Sequence, residues 1–214
     1  MQIIKVNNNE EALLEAFNLI PQNPTLNICL TGGNFGDAFL EILIKQKAIK
    51  NTWNIYLSDE RLFPSPDENL GELYKKKIMN IPGYNVSNLN TFKTNVNPKD
   101  SHREIGFKID SISRGCLDIC YLSLGEDGHL AGHFNNSLML TDNRFCYTKK
   151  AAKPPPERVS FNLSWLSKSE RFILIALGKK KQDALEDLYS GKGLHSEIWN
   201  TKNLILITDI ELKI

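Results

Sequence analysis

The chain reads as an α/β protein, a three-layer sandwich built on a mostly parallel sheet with a few antiparallel strands. Three observations predict this. Short apolar runs alternate with amphipathic stretches of helical length along most of the chain. Several of the apolar runs stop at glycine-rich or polar turns, as parallel strands do at the ligand-binding edge of an open sheet. No internal repeat, low-complexity stretch or linker breaks the 214 residues, so one domain over 1–214 is expected.

Taken in order, residues 2–6 form a first strand and 9–20 an amphipathic helix that Pro21 ends. Leu26–Leu30 is a short buried strand running into Thr31-Gly32-Gly33, with a helix from about Asp37 to Lys47. Trp53–Leu57 is the next strand and stops at Asp59-Glu60-Arg61. A loop with two prolines leads to a helix over Asp67–Met79. A short strand near Leu89–Phe92 and a helix over Asp100–Ile112 precede a central strand, 116–123. Cys116 and Cys120 are an even number apart in that strand, so both are expected on one face as core thiols. Beyond residue 134 the pattern changes. Phe145–Thr148 and Val159–Trp165 alternate like half-exposed strands, separated by Pro154-Pro155-Pro156, an extended stretch that admits a cis bond. Arg171–Leu177 is another buried strand, Gly178 leads into a helix reaching Tyr189, and Leu204–Thr208 closes the sheet. Repeated strand–helix–strand units of this kind give a Rossmann-like parallel sheet, with the antiparallel strands drawn from 145–165.

Composition excludes some functions. The formal charge of +1 offers no basic excess for nucleic acid, so none is expected as a partner. Apolar residues make up 41% of the chain, yet no apolar run reaches the length of a membrane span. The N-terminus lacks the features of a signal peptide, and four cysteines fit reduced thiols, so a cytoplasmic protein is expected.

The most informative stretch is Leu124-Gly-Glu-Asp-Gly-His-Leu-Ala-Gly-His-Phe134. The central strand stops at Gly125, and the turn through Asp127-Gly128 delivers His129 to its end. Histidine is the side chain whose ordinary pKa suits proton transfer near neutrality. Three readings compete: a general base, a metal ligand together with Asp127 and with His133, which is four residues on and can share a helix face with it, and a structural residue that caps the following helix or packs against the loop. No HExxH glutamate accompanies the histidines, which weighs against metal. Other strand ends supply anion-binding chemistry. Gly32 and Gly33 precede a helix N-terminus, whose N–H groups suit a phosphate, although a tight turn alone explains them equally well. Arg61 is placed to grip a phosphate or carboxylate, with Asp59 and Glu60 fixing its guanidinium. Lys179-Lys180-Lys181 and Arg158 add cations.

In this order these residues resemble the 6-phosphogluconolactonase family, relatives of the glucosamine-6-phosphate deaminases. The likeness runs through Leu30-Thr-Gly-Gly33, Asp59-Glu-Arg61 with Pro64 and Asn69, Leu124–His129 with Ala131 and Phe134, Pro156-Glu-Arg158, and Gly178-Lys-Lys-Lys181. It implies hydrolysis of 6-phospho-D-glucono-1,5-lactone to 6-phosphogluconate in the oxidative pentose phosphate pathway, with no metal and no organic cofactor. The implied partner is the small sugar-phosphate lactone, and the chain is expected as a monomer or homodimer. The resemblance implies His129 as base, Asp127 as its orienter, Arg61 at the reacting centre, and Gly32, Gly33, Asn69, Arg158 and Lys181 as substrate or phosphate contacts. Deaminases usually carry tyrosine where Arg61 stands and glutamate where Phe134 stands, so the lactonase branch is favoured. A deaminase or isomerase, or a non-catalytic sugar-phosphate-binding protein, are the alternatives. The chain departs from the family at Asn34-Phe35-Gly36 and at Gly132-His133-Phe134-Asn135.

Overall fold

The computed structural model describes residues 1–112, 114–135 and 137–212. Seven strands form one sheet in which every neighbouring pair is parallel. They are β1 (Gln2–Lys5), β2 (Leu26–Leu30), β3 (Trp53–Leu57), β5 (Leu89–Asn90), β6 (Ile119–Ser123), β10 (Arg171–Ala176) and β11 (Leu204–Thr208), in the order β1-β11-β10-β6-β2-β3-β5. A second, antiparallel sheet takes β4 (Asp59–Arg61), β9 (Arg158–Phe161), β8 (Phe145–Thr148) and β7 (Ser137–Met139) in that order. The α/β sandwich with a mostly parallel sheet is therefore the observed architecture.

Alternate residues of each central strand feed two cores, one on each face. On one face Leu26, Ile28, Leu30, Ile55, Ile119 and Ile173 pack with apolar residues of α1 (Asn9–Asn18), α2 (Gly33–Lys45) and α3 (Leu70–Ile78). On the other face Cys29, Tyr56, Cys120, Leu122, Phe172 and Leu174 meet α5 (Arg103–Asp110), α7 (Gln182–Tyr189) and the inner side of the antiparallel sheet. Burial on both faces explains why these strands read as apolar runs rather than as alternation. No helix among the described residues is long and apolar enough to cross a membrane.

Several boundaries differ from the sequence reading. Helix α2 begins at Gly33, four residues early, because Gly32 serves as the N-cap without a side chain. Helix α3 begins at Leu70 rather than Asp67, because the Asn69 side chain accepts from Glu72 N and caps it. The helix expected over 100–112 is two, α4 (Pro98–Ser101), capped by Asn97, and α5. The strand expected over 159–165 stops at Phe161, because Asn162 caps a short helix, α6 (Leu163–Leu166). The lysine run forms a 3-10 turn, Lys179–Lys181, ahead of α7. Strand β6 starts at Ile119, so Cys116 lies outside it, half-buried, and does not share a face with buried Cys120. One peptide bond of the triple proline, Pro154-Pro155, is cis.

Candidate active site

A cleft of about 460 Å³ opens at the C-terminal edge of β2, β6 and β10. This is the edge where a parallel sheet presents loops and helix N-termini to a ligand. His129, Arg61, Arg158, Lys181, Gly32 and Gly33 all line it. Asp127 reaches it through His129, and Asn69 does not reach it.

The His129 loop is held by its backbone. Leu124 N donates to Ile175 O at 2.9 Å, Gly125 N to His129 O at 2.8 Å and Gly128 N to Gly125 O at 3.1 Å. Gly128 carries φ +82°, which a glycine adopts without strain. Gly125 is required by close approach, because a Cβ there would collide with the imidazole and lie 2.7 Å from Asp127 Oδ1. The imidazole is fixed on two sides. Its Nδ1 hydrogen-bonds Asp127 Oδ1, and its ring stacks on Phe134 at 4.6 Å with a 15° interplanar angle. With a carboxylate accepting the Nδ1 proton, the neutral ring holds its lone pair on Nε2. The His129 side chain is 20% exposed and lines the cleft. Burial alone would raise the Asp127 pKa, but the hydrogen bond and charge of His129 outweigh it and hold the carboxyl below its ordinary value.

Two expectations about this loop are corrected. Residues 130–135, directly after His129, form no helix. The chain makes isolated bridges, Leu124 with Leu130 and Leu130 with His133, and Ala131 takes φ +51°. The histidine therefore neither caps a helix nor shares a helix face with His133. His133 points into the core, where Nε2 lies 3.0 Å from Phe161 O and 3.1 Å from Cys146 Sγ. Burial pushes its pKa down to about 4. Among the described residues no three His, Cys, Asp or Glu side chains gather as a metal site.

The antiparallel sheet brings the arginines together. The register of β4 against β9 sets Arg61 directly opposite Arg158. Two like charges in register repel. Arg61 Nη1 donates to Glu68 O at 3.2 Å, and Arg158 Nη2 donates to Lys153 O at 3.1 Å and Pro154 O at 3.3 Å. The Nε of each is buried without a partner. Burial lowers the Arg158 pKa; Asp59 opposes the shift, while Arg61 adds to it. Unused buried donors beside an open cleft suit an anion.

The neighbouring carboxylates do not fix the Arg61 guanidinium as expected. Glu60 turns away to accept from Arg61 N at 2.8 Å, Leu70 N at 3.1 Å and Gly71 N at 2.7 Å. Asp59 accepts from Ser58 Oγ at 2.7 Å. Burial lifts the Glu60 pKa to about 7 against the pull of its three N–H donors.

In each of the two departures from the family pattern the glycine has a packing reason. A Cβ on Gly36 would collide with Thr31 O and sit 2.8 Å from the Tyr74 hydroxyl, which itself donates to Thr31 O at 2.8 Å. A Cβ on Gly132 would lie 2.9 Å from Ser160 Cβ and 3.2 Å from Arg158 Cβ. Glycine at 36 lets α2 start against β2. Glycine at 132 lets the histidine loop press onto the arginine sheet.

Lys181 reaches the cleft from the 3-10 turn, and its Nζ donates to Ser123 Oγ at 3.2 Å. Burial lowers its pKa, with Glu126 and Asp209 opposing and Lys153 reinforcing. Asn69 is occupied elsewhere. Its Oδ1 caps α3 and its Nδ2 donates to Thr94 Oγ1 at 3.3 Å. Among the cleft-lining residues to which sequence reasoning gave no role are Ser123, Glu126 and Lys153. Ser123, last residue of β6, and Lys153, just before the prolines, carry only positional signals.

Comparison with known proteins identifies the family. A family model described as glucosamine-6-phosphate isomerases/6-phosphogluconolactonase matches residues 7–198. The chain is 26% identical over 179 residues to "6-phosphogluconolactonase 3" of Saccharomyces cerevisiae, covering 77% of this chain and 72% of the relative. It is also 26% identical over 215 residues to a 6-phosphogluconolactonase of Borreliella burgdorferi, covering 94% and 92%. In fold it is similar to the 6-phosphogluconolactonase of Thermotoga maritima, with a TM-score of 0.80 at 20% identity over 97% of this chain and 98% of that one. A monomeric glucosamine-6-phosphate deaminase superposes with a TM-score of 0.78 at 16% identity, covering 97% of each chain. The family model spans every residue that lines the cleft, and the chain belongs to the glucosamine-6-phosphate isomerase/6-phosphogluconolactonase family.

Proposed function

We propose that this chain hydrolyses 6-phospho-D-glucono-1,5-lactone to 6-phosphogluconate, the lactone-opening step of the oxidative pentose phosphate pathway, with His129 as general base. The observation that carries the reading is the His129–Asp127 pair in a cleft that also holds Arg61, Arg158 and Lys181. Similarity to proteins named 6-phosphogluconolactonase supports the substrate.

A lactone needs an attacking water, a place for the oxyanion and a proton for the departing ring oxygen. His129 Nε2 takes a proton from water as the oxygen attacks C1. The bond from C1 to the ring oxygen then breaks, and the imidazolium protonates that oxygen. Proton transfer of this kind contributes about 10²–10⁴-fold. Asp127 holds the tautomer and balances the imidazolium. Arg61, or N–H groups of the Gly32-Gly33 turn, face the developing oxyanion, a contribution of about 2.7–4 kcal/mol per donor. Arg158 and Lys181 take the phosphate.

The deaminase reading is weaker here. Phe134 stacks on the His129 ring, in a position where an amino-sugar isomerase would want a second acid–base group. The test is turnover of freshly made phosphogluconolactone above its spontaneous rate, beside ammonia release from glucosamine 6-phosphate. Lactone turnover without ammonia supports the proposal, whereas ammonia release without lactone turnover rejects it.

A further inference from the structure

We propose that Ser123 is a substrate-binding residue, its hydroxyl proton aimed into the cleft by Lys181, so that the two side chains bind one phosphate oxygen together. The inference rests on the sugar-phosphate reading above and adds a residue to it.

Ser123 ends β6, and its pairing with Ile175 of β10 fixes its backbone at the cleft edge. Both Ser123 and Lys181 line the cleft. A lysine ammonium has donors and no acceptor. In the 3.2 Å contact Ser123 Oγ must therefore accept. A hydroxyl has one proton of its own, and Ser123 donates it to no group among the described residues. The ammonium repels that proton from its side of the oxygen, which leaves the open cleft. The cation also polarises the hydroxyl and makes it a stronger donor. Two converging donors, one of them charged, select a group that only accepts. A phosphate oxygen fits this better than a sugar hydroxyl, which must also place a proton. Nucleophilic use of Ser123 is disfavoured, because a protonated lysine cannot take the hydroxyl proton.

The experiment compares wild type with Ser123→Ala, Ser123→Thr, Lys181→Ala and the Ser123→Ala/Lys181→Ala double variant. Three quantities are read: KM for the phosphorylated lactone, KM for unphosphorylated gluconolactone, and Kd for inorganic phosphate by calorimetry. Loss of one hydrogen bond to a charged group predicts that Ser123→Ala raises both the phosphorylated-lactone KM and the phosphate Kd about tenfold. Threonine recovers most of this, and the unphosphorylated lactone is affected by less than about twofold, as expected for a contact confined to the phosphate. In the Lys181→Ala background the serine change adds less than about threefold, because the partner that orients the hydroxyl is gone. An unchanged phosphate Kd in Ser123→Ala overturns the proposal, as do equal losses on both lactones. So does a collapse of kcat with an acyl-enzyme trapped in the wild type. If wild type fails to open the lactone but its phosphate Kd still splits tenfold from Ser123→Ala, the lactonase reading falls and the Ser123–Lys181 pair stands.

Discussion

His129 depends on two neighbours in its own loop, and each gives a prediction. Asp127 accepts the Nδ1 proton, which leaves Nε2 free to act as a base. Asparagine there keeps the shape but loses the charge and admits the wrong tautomer. Asp127→Asn is expected to lower kcat about 10–100-fold, short of the full general-base contribution, with KM changed far less. Steady-state kinetics on fresh lactone check this, and an unchanged kcat would mean that Asp127 plays no part in catalysis. Gly125 has no room for a methyl group against the imidazole. Gly125→Ala should therefore displace His129, lowering kcat about tenfold or more while the melting temperature shifts little, since a misplaced catalytic group is costly even where the fold survives. A variant with normal kcat would mean that the ring position is not critical. The glycine, the aspartate and the histidine were legible in the sequence because turn chemistry and strand ends have local signatures. The true role of Asn69 was not. As an N-cap three residues before Glu72 it obeys a local rule, and its occupation by the helix became visible only with the helix start in place.

At the scale of elements, β4 matters most. It is three residues long, too short for any periodicity, so no local pattern marks Asp59–Arg61 as a strand. Its pairing with β9 brings Arg61 opposite Arg158, two cations almost a hundred residues apart in the chain. Glu60, between its two cleft-lining neighbours, points the other way and ties β4 to the first turn of α3. This gives a pH prediction. Glu60 has a folded-state pKa of about 7, above its ordinary carboxylate value. The folded state thus holds a proton that the unfolded chain has already lost over pH 4.5–7, so this group's contribution to stability falls as pH rises through that window. Relative to Glu60→Gln, wild type should lose about 2–3 kcal/mol between pH 4.5 and 7, from a shift of a little over two pKa units. The comparison with the variant cancels His133, whose lowered pKa gives the opposite slope. Denaturant unfolding of both proteins at several pH values measures it, and parallel curves would contradict a raised Glu60 pKa. Elements with strong burial, such as β2, β3, β6 and β10, were legible because both faces are apolar. Those defined by a cap, such as α6 after Asn162, were not, since Leu163-Ser-Trp165 alternates like a strand until the cap is recognised.

Across the whole molecule, charge is nearly balanced at +1, yet the cleft gathers Arg61, Lys153, Arg158 and Lys181 against Asp59 and Glu126. Total composition could not reveal this concentration, because it arises when the two sheets bring distant loops together. A parallel sheet supplies the edge, and the antiparallel sheet supplies the arginines. The loop after β6 then sets the histidine between them. In the proposed function His129 moves the proton in a cleft shaped for a phosphorylated lactone. The most direct test is single-turnover hydrolysis of fresh 6-phosphogluconolactone by wild type and His129→Ala, with phosphate affinity measured on both proteins. The expected result is a loss of at least about 100-fold in the chemical step, the range of general acid–base catalysis, with phosphate affinity retained. Hydrolysis by His129→Ala at a rate close to wild type would contradict it.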